Sequence, residues 1–165
     1  MTILWLINYK NNLIFISLLS LFCFIFSLTI QVFFKENPCL LCLFTRYGFL
    51  IVSIICVFAT KYFNNKNVAF LPLFSLILLF FLCFYHLGVE NHWWFAPKSC
   101  RTPLPTLRDM YDTTKPIVDA RPSCDIVNFK IFGISITLVS FVVSGSLCWL
   151  SSIATILHSY KNRAK

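Results

Sequence analysis

Apolar positions in this chain gather into four long runs instead of short alternating stretches. They are Leu13–Phe34 (22 residues, no charge), Leu43–Thr60 (18, one charge), Val68–Leu87 (20, no charge) and Ile131–Leu157 (27, no charge). A hydrocarbon core takes roughly 20 apolar residues of helix to cross, so each run is predicted to span a bilayer, the second by starting near residue 40. None shows the in/out alternation, over roughly 10 residues, of an outer-membrane barrel strand. The predicted fold is all-α, an integral membrane four-helix bundle. Its spans fall at about 13–34, 40–60, 68–87 and 131–157, with loops at 35–39 and, far longer, at 88–130 between the third and fourth helices. The first run is too long for a signal-peptide core and no A-x-A-like cleavage site follows it, so it is read as a retained helix. No Gly/Ser linker or internal repeat interrupts the chain, and residues 1–165 are expected to form one membrane domain.

Composition agrees with that reading. The chain is 58% hydrophobic and 12% charged, against roughly half apolar and a quarter charged in soluble domains. The net charge of +8 raises nucleic acid as a partner, but the charges stand in the wrong places for it, and no nucleic-acid partner is expected. Lys10, Lys61, Lys66, Lys161, Arg163 and Lys165 occupy short acid-free segments, six in 27 residues, while the alternate segments 35–38 and 88–130 hold seven Lys/Arg in 47 residues and all six acids. Higher Lys/Arg density marks the cytoplasmic side, so both termini are expected there. With four spans, segments 35–42 and 88–130 share the opposite face.

That parity sorts the eight cysteines. Cys23, Cys56, Cys83 and Cys148 fall one to each run and read as small, polarizable core residues. Cys39, Cys42, Cys100 and Cys124 share one face; if that face is the periplasm, disulfides persist there. Cys39-Leu40-Leu41-Cys42 is a C-x-x-C at the start of the second span, a dithiol redox spacing. Pro38 suits a first helical turn, and a helix N-terminus favours thiolate. Arg46 lies at i+4 from Cys42, where its cation is expected to lower the Cys42 pKa. It stands roughly 10 Å below the helix start, and an ionisable group at lipid depth marks a functional site unless it snorkels to the headgroups. A cation beside a dithiol there suits a hydrophobic two-electron acceptor that arrives from the bilayer.

Cys100 and Cys124 flank a loop with four prolines, Pro103, Pro105, Pro116 and Pro122, in which Leu104, Leu107, Tyr111, Ile117 and Val118 suggest short segments on the membrane surface. An exposed loop disulfide is a poor staple and a good target for thiolate attack. Four cysteines allow three pairings, and spacing selects none of them. His86 and Glu90, i,i+4 at the same membrane end, are candidates for a proton relay or quinone contact, or simply interfacial polar groups. Trp93 and Trp94 read as aromatic-belt anchors.

These residues closely resemble the DsbB family of bacterial disulfide-bond-formation proteins. Pro38-Cys39-Leu40-Leu41-Cys42-Leu43-Phe44-Thr45-Arg46 is similar to its P-C-x-L-C-x-x-x-R motif. Tyr85-His86-Leu87-Gly88-Val89-Glu90-Asn91-His92-Trp93-Trp94, with Pro97 and Cys100, resembles its third-helix exit, and Cys124-Asp125 with Phe132-Gly133-Ile134-Ser135 resembles its fourth-helix entry. The likeness runs over about 13–157. Thr45 departs from members that carry an acid before the arginine. Vitamin K epoxide reductases place the loop pair before the C-x-x-C, the reverse of the order here.

The resemblance implies a multi-pass protein of the bacterial inner membrane that reoxidises a DsbA-like periplasmic thioredoxin-fold partner and passes electrons to ubiquinone or menaquinone. Cys100 would form the mixed disulfide with the partner, Cys124 would resolve it through a transient bond to Cys39, and Cys42 would transfer electrons to the quinone. Arg46, His86 and Glu90 are the expected quinone-binding residues. Two other readings compete. One is a non-catalytic four-helix scaffold or chaperone with a stapled loop. The other is a metal site built from the C-x-x-C and a histidine, disfavoured because no second C-x-x-C or close histidine pair accompanies it; no metal is expected.

Overall fold

With no water to satisfy their backbones, apolar segments in a bilayer close their own hydrogen bonds as helices. The computed structural model describes residues 8–34, 38–62, 68, 70–97, 100, 123–124, 130–131 and 133–163. Among these, four helices are long and apolar enough to cross a membrane: α1 (Tyr9–Phe34), α2 (Leu40–Lys61), α3 (Leu71–Glu90) and α4 (Ile136–Arg163). The protein is a multi-pass four-helix bundle, as the hydrophobic pattern predicts. The short surface segments expected around Leu104, Leu107, Tyr111, Ile117 and Val118 lie outside the described residues.

Helix α1 packs on α2, α2 on α3, α3 on α4, and α4 returns to α1, closing the bundle. Ser17 on α1 and Ser53 on α2 exchange hydrogen bonds, each hydroxyl donating to the other's carbonyl at 3.0–3.2 Å. Between α2 and α3, Gly48 leaves room for Leu79, whose Cδ1 would lie 2.7 Å from an added Cβ. Phe80 and Phe84 of α3 stack against Phe141 of α4. At the far end Tyr9 stacks on His158, ring centroids 4.6 Å apart, tying the start of α1 to the end of α4. The main core is Leu13, Ile16, Phe49, Val52, Cys56, Leu76, Leu79, Cys83 and Leu147 with their neighbours. Phe22, Phe33, Phe81 and Trp149 point outward, toward the lipid that the helices' length and hydropathy imply.

Helix ends differ from the sequence expectation where backbone chemistry intervenes. The third helix starts at Leu71 instead of 68, with Pro72 in its first turn, where a missing N–H costs nothing. The fourth starts at Ile136, not Ile131. Gly133 has φ of 82°, a left-handed conformation that glycine adopts without penalty. It turns the chain between β1 (Lys130–Ile131) and β2 (Ile134–Ser135), an antiparallel pair in register Lys130 to Ser135. The Leu138 N–H then donates to Ser135 Oγ at 3.2 Å, an N-terminal cap.

Candidate functional site

The C-x-x-C sits where α2 begins. Cys39 is the N-cap of that helix, with extended backbone, and its sulfur accepts from the Cys42 N–H at 3.2 Å. The cap is therefore Cys39, with Pro38 one residue outside the helix instead of in its first turn. The Cys39 and Cys42 sulfurs are 2.7 Å apart. From α3, the His86 Nε2 lies 3.6 Å from Cys39 Sγ and 3.7 Å from Cys42 Sγ. Cys39 and His86 are both buried. The hydrogen bond with the Cys42 thiol outweighs burial; with His86 and the capped N–H it holds the Cys39 thiol down at about 5 from an ordinary 9. The thiolate-stabilising contacts thus converge on Cys39, whereas the sequence pointed to Cys42 through Arg46.

Arg46 lies six residues into α2, about 9 Å along its axis, and is only 7% exposed. Its guanidinium is held by α1. Its Nε donates to Ser27 Oγ at 3.0 Å, one terminal nitrogen donates to the Ser27 carbonyl at 3.3 Å, and the other donates to Gln31 Oε1. All three acceptors are neutral and belong to α1. Thr45, where an acid might have stood, spends its hydroxyl on the Cys42 carbonyl at 3.0 Å. No described carboxylate pairs with the guanidinium. A cation held by neutral dipoles at that depth keeps its charge available to an electron-rich group.

The second couple is brought to the first by the way α3 ends. The N–H of Trp93 donates to Gly88 O at 2.8 Å and that of His92 to Val89 O at 3.1 Å, a Schellman closure. His92 takes the left-handed position with φ of 57°. The chain doubles back and Trp94 lies on Gly88, where an added Cβ would fall inside the indole ring. The Trp94 Nε1–H donates to Tyr85 O at 2.9 Å, and its ring stacks on Tyr85 and meets Phe84 edge-on. Cys100 follows, its N–H bonded to Pro97 O, and is joined to Cys124 by a disulfide with Cα atoms 5.3 Å apart. Cys39, Leu41, Val89, Cys100 and Cys124 form one buried cluster, with Cys42 and Trp94 packed against it.

The structure therefore gathers Cys39, Cys42, His86, Cys100 and Cys124, with Arg46 four residues deeper than Cys42. Glu90 stays half-buried and has no partner among the described residues. The loop disulfide, expected to be exposed, is buried: Cys100 is 4% and Cys124 2% exposed. Two contributors were missed by sequence reasoning. Trp94 packs half-buried on the end of α3, and Gly88 is the seat it requires; the Gly-x-x-x-x-x-Trp spacing is the one signal that marks them. His86 also completes a Cys/Cys/His triplet whose ligand atoms lie within 4.8 Å of one another, the grouping of C-x-x-C and a histidine that the sequence raised without saying which histidine.

Residues 9–154 match the family described as disulfide bond formation protein DsbB. No curated protein matches the chain. No solved structure matches it either. The matched segment contains all four helix cores and both cysteine couples, so the chain belongs to the DsbB family, membrane thiol oxidoreductases of disulfide-bond formation.

Proposed function

We propose that the protein, as a single inner-membrane domain with cytoplasmic termini, reoxidises a DsbA-like periplasmic dithiol protein and delivers the electrons to ubiquinone or menaquinone. The observation that carries this reading is the shared burial of both couples in one cluster, with a histidine against the inner sulfurs and an arginine just below them.

A thiolate of the reduced partner attacks Cys100 Sγ, breaking the Cys100–Cys124 bond and releasing Cys124 as thiolate. Cys124 attacks Cys39 Sγ of the closed inner couple, and Cys42 leaves as thiolate. The partner's second thiol breaks its bond to Cys100 and departs oxidised. The Cys100 thiolate then attacks Cys124, restoring the loop disulfide and freeing Cys39. Cys39 and Cys42 would close again by giving up two electrons to a bound quinone, which would take up two protons from its surroundings. Partner attack requires Cys100 to be uncovered from the buried cluster it shares with Val89 and Cys39.

A quinone supplies a lipid-soluble acceptor for two electrons and two protons. The donor set suits it. Arg46 offers a cation with only neutral partners, His86 can hold or pass a proton at Nε2 beside both sulfurs, and the outward aromatic side chains of α1 and α2, Phe33 and Phe44, border lipid. Glu90 is proposed as an outer proton donor to His86 one turn away.

The test is capture of the first covalent step. Incubating a Cys124→Ser variant with reduced partner is expected to accumulate a mixed disulfide at Cys100, seen by non-reducing electrophoresis and peptide mapping. A loop disulfide that no dithiol partner reduces would leave the scaffold reading in its place.

A further inference from the structure

We propose that the inner couple, when reduced, forms with His86 a three-ligand site for a thiophilic d10 cation such as zinc or cadmium, and that capture of the ion withdraws the couple from redox turnover. The site needs only that the Cys39–Cys42 couple can be reduced. Its effect on turnover rests on the relay proposed above.

Geometry carries the case. A tetrahedral ion sits at about 2.3 Å from thiolate sulfur and about 2.0–2.1 Å from imidazole nitrogen, which sets S···N near 3.6 Å and S···S near 3.8 Å. The two observed S···N separations, 3.6 and 3.7 Å, already match. The sulfurs, at 2.7 Å, must part by about 1 Å. Two thiolates repel, and Cys39 is an N-cap outside the helical repeat, so turning its side chain leaves α2 intact. The imidazole arrives on a different rigid element, the last turns of α3, with His86 96% buried. Three protein ligands leave a fourth position for water, unlike the closed four-ligand structural sites.

The chemistry makes the site conditional. A disulfide has no thiolate to offer, so the oxidised couple binds nothing. The reduced couple binds the ion as a dithiolate and releases whichever thiol protons it still carries. No electron moves. Cys39 can then neither attack nor be attacked until the ion leaves.

Full reduction would also free Cys100 and Cys124 in the same cluster, offering an all-cysteine alternative. The experiment therefore uses the full chain carrying Cys100→Ser and Cys124→Ser, purified in detergent, reduced and freed of reductant without oxygen. It is titrated with cadmium, read by thiolate-to-metal absorbance, and with zinc against a chromophoric chelator. One equivalent per chain is expected, none after the inner couple is oxidised, and none when Cys39→Ser is added, although the four thiols within the spans remain. Adding His86→Ala or, to preserve volume, His86→Gln should weaken binding by more than the roughly 10–100-fold that loss of an outer-shell partner costs. No binding, binding that survives Cys39→Ser, or affinity undiminished in both His86 variants overturns the site. Failure of the titration with undiminished partner reoxidation by the native protein sinks the metal site alone; intact titration with no partner reoxidation sinks the relay alone.

Discussion

Eight cysteines of one chain stand in two environments, and burial does not separate them. Cys56 and Cys83, in the middle of the bundle, are fully buried, yet Cys39 and Cys124 are only 2% exposed. Neighbours make the difference. Cys56 lies among Phe49, Val52, Ala59 and Leu76 in an aliphatic and aromatic core, where a thiol is a small apolar filler. Cys83 has the Ser144 hydroxyl and little else that is polar. Cys39 has a helix N-terminus, a second sulfur and an imidazole. The end of the bundle where α2 begins concentrates polar groups around sulfur, while its centre offers few.

The sharpest way to break this comparison is to exchange sulfur for oxygen at the N-terminus of α2. Cys39→Ser or Cys42→Ser is expected to reduce partner-dependent quinone reduction to background, a loss of at least about a thousandfold, because exchange has no substitute nucleophile. Either variant turning over normally would end the distinction between the two sets. Next in size is Arg46→Ala, expected to raise the quinone KM roughly 10- to 100-fold, the scale of one hydrogen bond to a charged group. Mixed-disulfide formation with the partner should be unaltered.

Gly88→Ala is expected to have a smaller effect. Displacing the Trp94 indole costs about 1–3 kcal/mol of packing, and should slow transfer between the two couples about tenfold. Stopped-flow with the reduced partner would read that step, and adding Trp94→Ala should not slow it further, since both changes release the same contact. The fourth expectation concerns pH. A thiol depressed to about 5 is an anion above that pH and gains its proton below it. Alkylation of Cys39 in the reduced protein should thus be nearly constant from pH 6 to 8 and fall below 5. In His86→Ala the fall should begin at higher pH. At the small end, Cys56→Ala should cost about 1 kcal/mol of stability and leave turnover within twofold.

Much of the molecule was legible along the chain. Length and continuity of the apolar runs announce the helices, because a bilayer leaves the backbone no other way to satisfy its hydrogen bonds. The C-x-x-C, and the parity of four spans, assign the reactive thiols to one end. Helix ends were less legible: Pro72 delays α3, and Gly133 diverts residues 130–135 into a hairpin before α4 begins. Those are local backbone effects that hydropathy does not register.

What the sequence determined by itself was the number of spans, the pairing of chemistry with one membrane face, and the identity of the exceptional cation, Arg46. Only tertiary structure decided which groups touch. His86 reaches the sulfurs because α3 packs antiparallel to α2; Arg46 turns toward Ser27 and Gln31 because α1 presents neutral acceptors there; and Cys100 joins the buried cluster of Cys39 because the chain reverses over Gly88 and lays Trp94 down. Hydrophobicity is a property of each segment and can be summed along the chain, whereas contact between residues on different helices depends on how whole helices face one another.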